Sequence, residues 1–474
     1  MDPAGISINR DSKTSLQAQL ENAFRTAILD GTLAAGERVL STRELQTHLG
    51  LSRNTVLNAF EQLHAEGYLT TERGVGTFVA PQILALPKET PQARERIVPS
   101  IAAEHYLDVA HFAQPLNANI TSFRPGAPAL DKFPYGILRR IFGRIELSGS
   151  ALDYGDTFGD RGLRSAIARR LQQTRGVLTT PDHVMITSGA QAAFALIAGV
   201  LLGPRDRVII EEPGYPNMRA ILLSVRANIV PKPVDEQGLN VATFAALKAK
   251  LAYVTPSHQY PTGEVLSLDR RLQLLDWASR ARAWIIEDDY DSEFNYTNRP
   301  IPALQGLAGS TRVIYVGTFS KVLAPSIRIG YVVLPNELLD VFRAAQVITG
   351  GTPDAFIQVA LARFIDGGHL GRHISRMRKA YDEQRNIIGE ALSNIGPGTL
   401  RVRDTRAGLH FIAHLPAAVR DIDFSQRAFA NGVIVPPLSS YFIGRPRMNG
   451  IVAGYAATPK PQIAAAIKSL AAAL

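Results

Sequence analysis

The sequence predicts two folded parts of different class: a winged helix-turn-helix over residues 10–80, and an α/β domain with a largely parallel sheet over residues 116–474. Three observations predict it. Apolar residues at helical spacing are interrupted at Gly31, Gly50 and Gly67 and then give way to two short strand-like runs. Residues 81–115 interleave Pro81, Pro87, Pro91 and Pro99 with charged and amide side chains and show little period, which reads as a semi-rigid linker. From Phe123 onward, helical stretches alternate with short apolar strands.

Length and composition set the bounds. A chain of 474 residues is too long for one ordinary core and favours two or three domains. It contains no cysteine, which excludes disulfides, thiolate catalysis and cysteine metal sites, and no metal site is expected. The start, Met1-Asp2-Pro3-Ala4-Gly5, lacks a basic region followed by an apolar stretch, so no secretory signal is visible and a cytoplasmic location is expected. The longest apolar run, Ala192 to Leu202, is too short to span a bilayer, and no membrane association is expected. The net charge of +9 invites a nucleic-acid reading, but residues 1–80 hold seven Lys/Arg against nine Asp/Glu, a net of −2. The excess of +11 lies beyond them, so a DNA-binding assignment must rest on motif rather than bulk charge.

In the first part, Leu16, Leu20, Phe24, Ala27 and Ile28 lie on one helical face. Ser41 with Glu44 forms a capping box for a second helix ending near Gly50. Ser52 is placed to cap a third, whose apolar face is Val56, Leu57, Phe60 and Leu63. Two strand-like runs, Tyr68–Glu72 and Thr77–Val79, flank Arg73-Gly74-Val75-Gly76. That order is a helix-turn-helix with a wing. Gly31, Leu33, Gly36, Arg43 and Leu45 together with the wing closely resemble the GntR-type DNA-binding domain over about 65 positions. The resemblance implies a double-stranded DNA operator as partner. Ser52, Arg53, Asn54 and Thr55 crowd the first turn of the third helix, where side chains reach base edges and free N–H groups meet phosphate. Arg43 on the preceding helix and Arg73 with Gly74 at the wing tip complete the candidate surface. Leu57 stands where some relatives carry a base-reading arginine.

In the second part the stretch Gly317–Tyr331 places Lys321 between hydroxyl residues, with Thr318 and Ser320 before it and Arg328 seven residues after. A lysine that forms a Schiff base must be partly desolvated where a carbonyl is held still, and an arginine fork suits a phosphate, so the stretch reads as a site for pyridoxal phosphate. Val184–Thr187 is a strand, and Ser188-Gly189-Ala190-Gln191 turns it into the apolar helix, pointing N–H groups and a helix dipole at an anion. Val208–Glu212 ends in a turn carrying Tyr215, and Trp284–Asp289 brings carboxylates to the C-terminal edge of a buried strand, where open α/β sheets bind ligands.

The Ser-Lys-x6-Arg run resembles the cofactor-lysine motif of fold-type-I aminotransferases, and that resemblance implies roles. Tyr215 would stack on the pyridine face, and Asp288 would pair with the pyridine nitrogen and keep it protonated. Tyr290 would donate to the ring hydroxyl, while Asp289 and Asp291 would be structural or solvent-facing. Tyr260, in Pro256-Ser257-His258-Gln259-Tyr260-Pro261-Thr262-Gly263, stands where the enzymes carry asparagine. Fold-type-I sites lie at a dimer interface, so a homodimer is implied, with Tyr154 a candidate to reach the partner's cofactor.

Nearly the whole chain thus resembles the MocR subfamily of GntR-type regulators, a winged helix fused to a fold-type-I aminotransferase domain. Two functions follow. In one, a small amine or amino-acid effector, or the cofactor itself, is sensed through Lys321 and shifts DNA binding; in the other, the chain is a working aminotransferase with an appended DNA-binding domain. Substrate recognition separates them. Aminotransferases clamp the substrate carboxylate with a C-terminal arginine, and Val452 occupies that position here, leaving Arg403, Arg406, Arg445 and Arg447 as substitutes to examine.

Overall fold

Each helix of the N-terminal part begins at a serine whose side chain accepts from the free first turn. In the computed structural model, which describes residues 7–82, 106–107, 123–146, 153–297, 301–307, 311–395, 400–403 and 406–474, Ser15 caps α1 (Leu16–Leu29). Ser41 and Glu44 form the reciprocal capping box of α2 (Thr42–Leu49), and Ser52 caps α3 (Arg53–Ala65). Leu20, Phe24, Leu45, Val56, Ala59, Phe60 and Leu63 close the core, with the Phe24 and Phe60 rings edge to face at 5.5 Å. Leu57, expected on the apolar face, is only half-buried, and Ala59 takes that place. The contact stripe runs through Val56, Phe60 and Leu63, and position 57 lies one helical step off it. The wing is β1 (Leu69–Glu72) paired antiparallel with β2 (Gly76–Val79). Residues 37–39 add a third strand-like segment unforeseen from sequence, through Val39 N–H to Thr77 O at 2.9 Å and Val79 N–H to Glu37 O at 2.8 Å.

The chain divides into two compact units between residues 99 and 100. Apart from 81, 82, 106 and 107, the expected linker lies outside the described residues. The second unit opens with α4 (Tyr135–Phe142) and α5 (Arg161–Arg175), then β3 (Val184–Thr187), α6 (Ala190–Leu201), β4 (Arg207–Glu212) and α7 (Pro216–Ser224). There follow β5 (Asn228–Asp235), β6 (Gly238–Leu239), β7 (Leu251–Val254), α8 (Leu268–Ala281), β8 (Trp284–Asp289), β9 (Val313–Thr318) and β10 (Gly330–Val333). These strands form one sheet in the order β3-β10-β9-β8-β7-β4-β5-β6, parallel from β9 through β5, with β10 antiparallel to both its neighbours. Strands β3, β7, β9 and β10 are buried throughout, as expected of apolar strands covered on both faces. Helices α9 (Leu339–Thr349), α10 (Ala355–Asp366) and α11 (His369–Ser393) lead to a second sheet of β11 (Arg401–Val402), β12 (His410–His414) and β13 (Gly450–Gly454). Helices α12 (Asp421–Ala430) and α13 (Ile463–Ala471) accompany that sheet.

Adjacent residues of a strand face opposite ways, so β8 sends Asp288 and Asp289 to different sides. Asp289 is buried and accepts from Arg175 Nε at 2.8 Å and from the Tyr315 hydroxyl. Arg175 also donates to Ser257 Oγ at 2.5 Å and to Ile301 O, so one guanidinium ties three segments together below the strand ends. Arg175→Met leaves Asp289 buried without its cationic partner and should destabilise the large domain by about 3–5 kcal/mol. Thermal denaturation checks this, and an unchanged midpoint would show that the pair does not hold the strand ends.

Candidate cofactor site and DNA-reading surface

Parallel strands running the same way deliver their C-terminal ends to one edge of the sheet, and a cavity of about 240 Å³ opens there. Gly189, Ala190 and Gln191 after β3, Tyr215 after β4, Tyr260 after β7, Asp288 and Tyr290 from β8 and its end, and Thr318, Ser320, Lys321 and Arg328 after β9 all line it. Pro125, Gly126, Phe194, Tyr253 and Pro325 complete the wall.

Lys321 is half-buried in this wall, and burial first, with Arg124 adding to it, lowers its pKa, while Asp291 and Asp288 oppose the shift. The amine is thereby moved toward the neutral form that a nucleophile requires. Gly126 has a φ of +65°, which favours glycine, and a Cβ built on it would stand 2.9 Å from Lys321 Nζ, so a side chain there would push the amine aside. Asp288 is buried and accepts from the Tyr253 hydroxyl at 2.5 Å. Loss of water pushes its carboxyl up to about 7, helped by Asp289 and Asp291 and opposed by Tyr253 and Lys321. Tyr260 sits at the centre of an aromatic group, edge to face with Tyr215 at 5.7 Å, Tyr290 at 5.8 Å and Tyr441 at 5.5 Å, its hydroxyl 3.2 Å from that of Tyr441. Burial raises the Tyr260 and Tyr290 hydroxyls well above their ordinary range, so both remain protonated donors.

At the other end of the cavity, Gly189 precedes α6 with no side chain capping it, and the first-turn N–H groups are left for an anion. Arg328 holds a left-handed backbone at φ +52°, a conformation that costs a non-glycine residue about 1 kcal/mol or more and is found where a site needs the side chain re-aimed. Ser320 N–H donates to Thr318 Oγ1 at 3.1 Å, tightening the turn between them. A cationic fork, open helix N–H groups, an amine, a carboxylate and tyrosine hydroxyls around one cavity are the donor set for a phosphorylated pyridine aldehyde, and they fit it.

Not every expected residue joins this group. Ser188 turns away, donating to Gly351 O at 3.2 Å, and lies outside the lining. Tyr154 is 99% exposed and borders a different groove with Asp160 and Pro353. Asp289 and Asp291, expected to be structural or solvent-facing, are both buried; Asp289 serves Arg175, while Asp291 accepts from His258 Nδ1 at 3.0 Å beside the site. Val452 on β13, the residue expected at the clamp position, is fully buried with Ile412, Leu438 and Tyr441 against Tyr260. Arg403 is ion-paired with Glu264, Arg406, Arg445 and Arg447 are exposed, and none of the four lines the cavity. Sequence reasoning missed Tyr253, Gly126, Arg124 and His258. The first reads as strand core, and Gly126 and Arg124 lie near Lys321 only in space; His258 alone stood in a motif already singled out.

In the N-terminal unit, Ser52 Oγ and Thr55 Oγ1 are 2.7 Å apart within the cap, whereas the Arg53 and Asn54 side chains are exposed and make no hydrogen bond among the described residues. Arg43, Arg73 and Gly74 are exposed as well. Arg38, absent from the expected set, is exposed beside the wing, its Nε 2.8 Å from a Cβ built on Gly76.

One more buried carboxyl supports the site from behind. Glu211 accepts from Thr255 N–H at 3.2 Å, Thr255 Oγ1 at 2.6 Å and Gln259 Nε2 at 3.2 Å, yet burial outweighs these bonds and lifts its pKa from 4.5 to about 7. A carboxyl raised in the folded state binds its proton more tightly there than when unfolded. Its stabilising effect is complete below the unfolded pKa and is lost as pH rises through about 7. Glu211→Gln should therefore remove on the order of 3 kcal/mol of the fall in stability between pH 5 and 8. Parallel melting curves of the wild type and E211Q across that range check it; equal slopes would refute the buried neutral carboxyl.

The description "Bacterial regulatory proteins, gntR family" matches residues 16–79, and "Aminotransferase class I and II" matches residues 123–470. A probable rhizopine catabolism regulatory protein, MocR, of Rhizobium meliloti is 36% identical over 472 residues, 98% of this chain and 94% of its own. A pyridoxine biosynthesis transcriptional regulator, PdxR, of Corynebacterium glutamicum is 33% identical over 452 residues, 95% of this chain and 94% of its own. Among solved structures, a Pyrococcus horikoshii kynurenine aminotransferase superposes with a TM-score of 0.69 at 29% identity, covering 80% of this chain and 96% of that one. The winged helix, the lysine-bearing cavity at the strand ends and these likenesses converge: the chain belongs to the MocR-type GntR transcription regulators, in which a GntR DNA-binding domain is fused to an aminotransferase domain of fold type I.

Proposed function

We propose that this regulator binds pyridoxal phosphate at Lys321 and uses it to sense a small amine, amino acid or the cofactor itself, changing its affinity for an operator. The observation that carries the reading is the cavity in which Lys321, Asp288, Tyr290 and Arg328 converge while Val452 fills the clamp position with apolar packing. Arg328, Thr318, Ser320 and the N-terminus of α6 would hold the phosphate, Asp288 the ring nitrogen, Tyr290 the ring oxygen and Tyr215 the ring face. When bound, the cofactor supplies an aldehyde carbon that exchanges amines and a ring that withdraws electrons. The chain's own part is to desolvate the Lys321 amine, keep Asp288 ready to take a cationic partner, and exclude water with the tyrosines.

The missing clamp favours sensing over turnover. Without a fixed carboxylate the Cα–H bond of a substrate is not held perpendicular to the ring, and orientation is worth several kcal/mol of barrier. Arg124, half-buried and close enough to Lys321 to depress its pKa, is the cation available to an effector's acidic group. A homodimer is part of the reading. Val347 and Ile348 on α9 are 66% and 84% exposed, the segment after them receives the Ser188 hydrogen bond beside the phosphate turn, and an apolar surface of that kind calls for a partner.

Arg53→Ala should weaken specific operator binding by about 1–3 kcal/mol, since Arg53 stands exposed on the first turn of α3 where a base edge is within reach. A gel-shift titration checks it, and an unchanged affinity would remove Arg53 from the reading set. Lys321→Ala should abolish the visible band of lysine-bound cofactor, retain some cofactor through Arg328 and Asp288, and respond to amines slowly and weakly in DNA binding. Absorption spectra with candidate amines, keto-acid production and operator affinity on the same preparations test the whole reading. Wild-type turnover of about 1 s⁻¹ or faster, with operator affinity indifferent to every amine, would establish an enzyme instead.

A further inference from the structure

Behind Tyr290 lies a buried pair that neither phosphate nor ring binding explains. His258 and Asp291 are 2% and 1% exposed, and His258 Nδ1 stands 3.0 and 3.1 Å from the two Asp291 oxygens. The same nitrogen is 2.9 Å from the Tyr290 hydroxyl oxygen. We propose that His258, held by Asp291, is a positioning residue that keeps the hydrogen of the Tyr290 hydroxyl aimed into the Lys321 cavity.

The reasoning is one of donors and acceptors. A carboxylate only accepts, so a ring nitrogen facing both Asp291 oxygens must carry the proton. That N–H also leans on the Tyr290 oxygen, which then acts as acceptor, and the phenol's own hydrogen must point elsewhere. Tyr290 lines the cavity, and the cavity is where a ligand oxygen would receive it. Were Nδ1 bare, Tyr290 would spend its hydrogen on His258 and offer the cavity only lone pairs. Among the described residues His258 Nε2 is buried without a hydrogen-bond partner, so there Nδ1 carries the ring's polar anchoring. The fit is tight: a side chain at Gly408, at φ +82°, would collide with His258 Cε1, and its Cβ would come 2.7 Å from Asp291 Oδ2.

Among the described residues, the titratable and charged groups acting on Tyr290 and Lys321 come from five elements, and Glu211 of β4 is one of them. Asp288 and Asp291 come from β8 and its end, His258 and Tyr260 from the turn after β7, Arg124 from the segment before α4, and His410 from β12. His410 is 5.3 Å from the His258 ring, and burial, with His258 and Lys321 adding to it, depresses its pKa to about 3, so it stays neutral throughout the working range.

The inference rests on the cofactor reading above, and one experiment separates the two. The full chain is saturated with pyridoxal phosphate, and its visible band is titrated against pH in the wild type, His258→Phe, Asp291→Asn, Tyr290→Phe and the His258→Phe/Tyr290→Phe double variant. Losing a hydrogen bond to a charged oxygen should raise the midpoint of Y290F by about 1 pH unit. H258F and D291N should shift it in the same direction, and the double variant should move no further than Y290F alone, because His258 acts through Tyr290. An H258F midpoint at the wild-type value, or shifts that add in the double variant, would overturn the proposal while leaving the cofactor reading intact. Should H258F fail to fold, D291N decides, and a wild-type midpoint there overturns it equally. A wild type with no visible band at all would overturn both.

Discussion

Asp288, Asp289 and Asp291 are buried together where β8 ends, and dehydrating three carboxyl groups in one place is a cost that dictates what surrounds them. Strand alternation separates the first two, one toward the cavity and one toward the interior. The inner one is met by Arg175, whose guanidinium also fastens Ser257 and Ile301, so the partner that neutralises a charge also pins the loops flanking the site. The third is met by His258. Asp288 accepts from one phenol, and among the described residues no ion pair meets it, with the Lys321 amine the cation that acts on it across the cavity; a group in that condition is poised for a ligand that brings positive charge. The cofactor reading follows from this unequal matching as much as from Lys321.

In the sensing function proposed here, the site needs to bind an amine but does not need to turn one over. The cavity offers uncapped N–H groups at the start of α6 and the Lys321 amine, while Val452, at the position expected for the carboxylate clamp, is packed with Ile412 and Leu438. The tyrosines around Tyr260 form a wall of aromatic edges and hydroxyls.

Much of this was legible in the sequence because it is written locally. Caps at Ser41 and Ser52, the strand ends bearing Asp288 and Tyr215, and the spacing from Lys321 to Arg328 each lie within one element and its neighbouring turn. What stayed hidden depends on contacts between distant segments. Gly126 is a turn glycine until Lys321 is laid against it, and Tyr253 reads as one more core aromatic until its hydroxyl finds Asp288. The pairing of Asp291 with His258 joins two turns that alternation alone cannot register. Leu57 failed for a different reason: helical period gives a stripe but not its width.

The antiparallel strand β10 sits between β3 and β9, with Val333 opposite Val184 and Gly330 opposite both Thr187 and Thr318. It is therefore the strap that brings the phosphate turn and the lysine loop side by side, and it arrives roughly 150 residues after the strand it clasps. Contacts of such range form late, since loop closure must precede them. The winged helix, complete by Val79, is closed by short-range contacts and needs none of this. During synthesis the winged helix is thus finished long before the pocket has walls, and a chain cut short before β10 would carry the DNA-binding domain without the cavity.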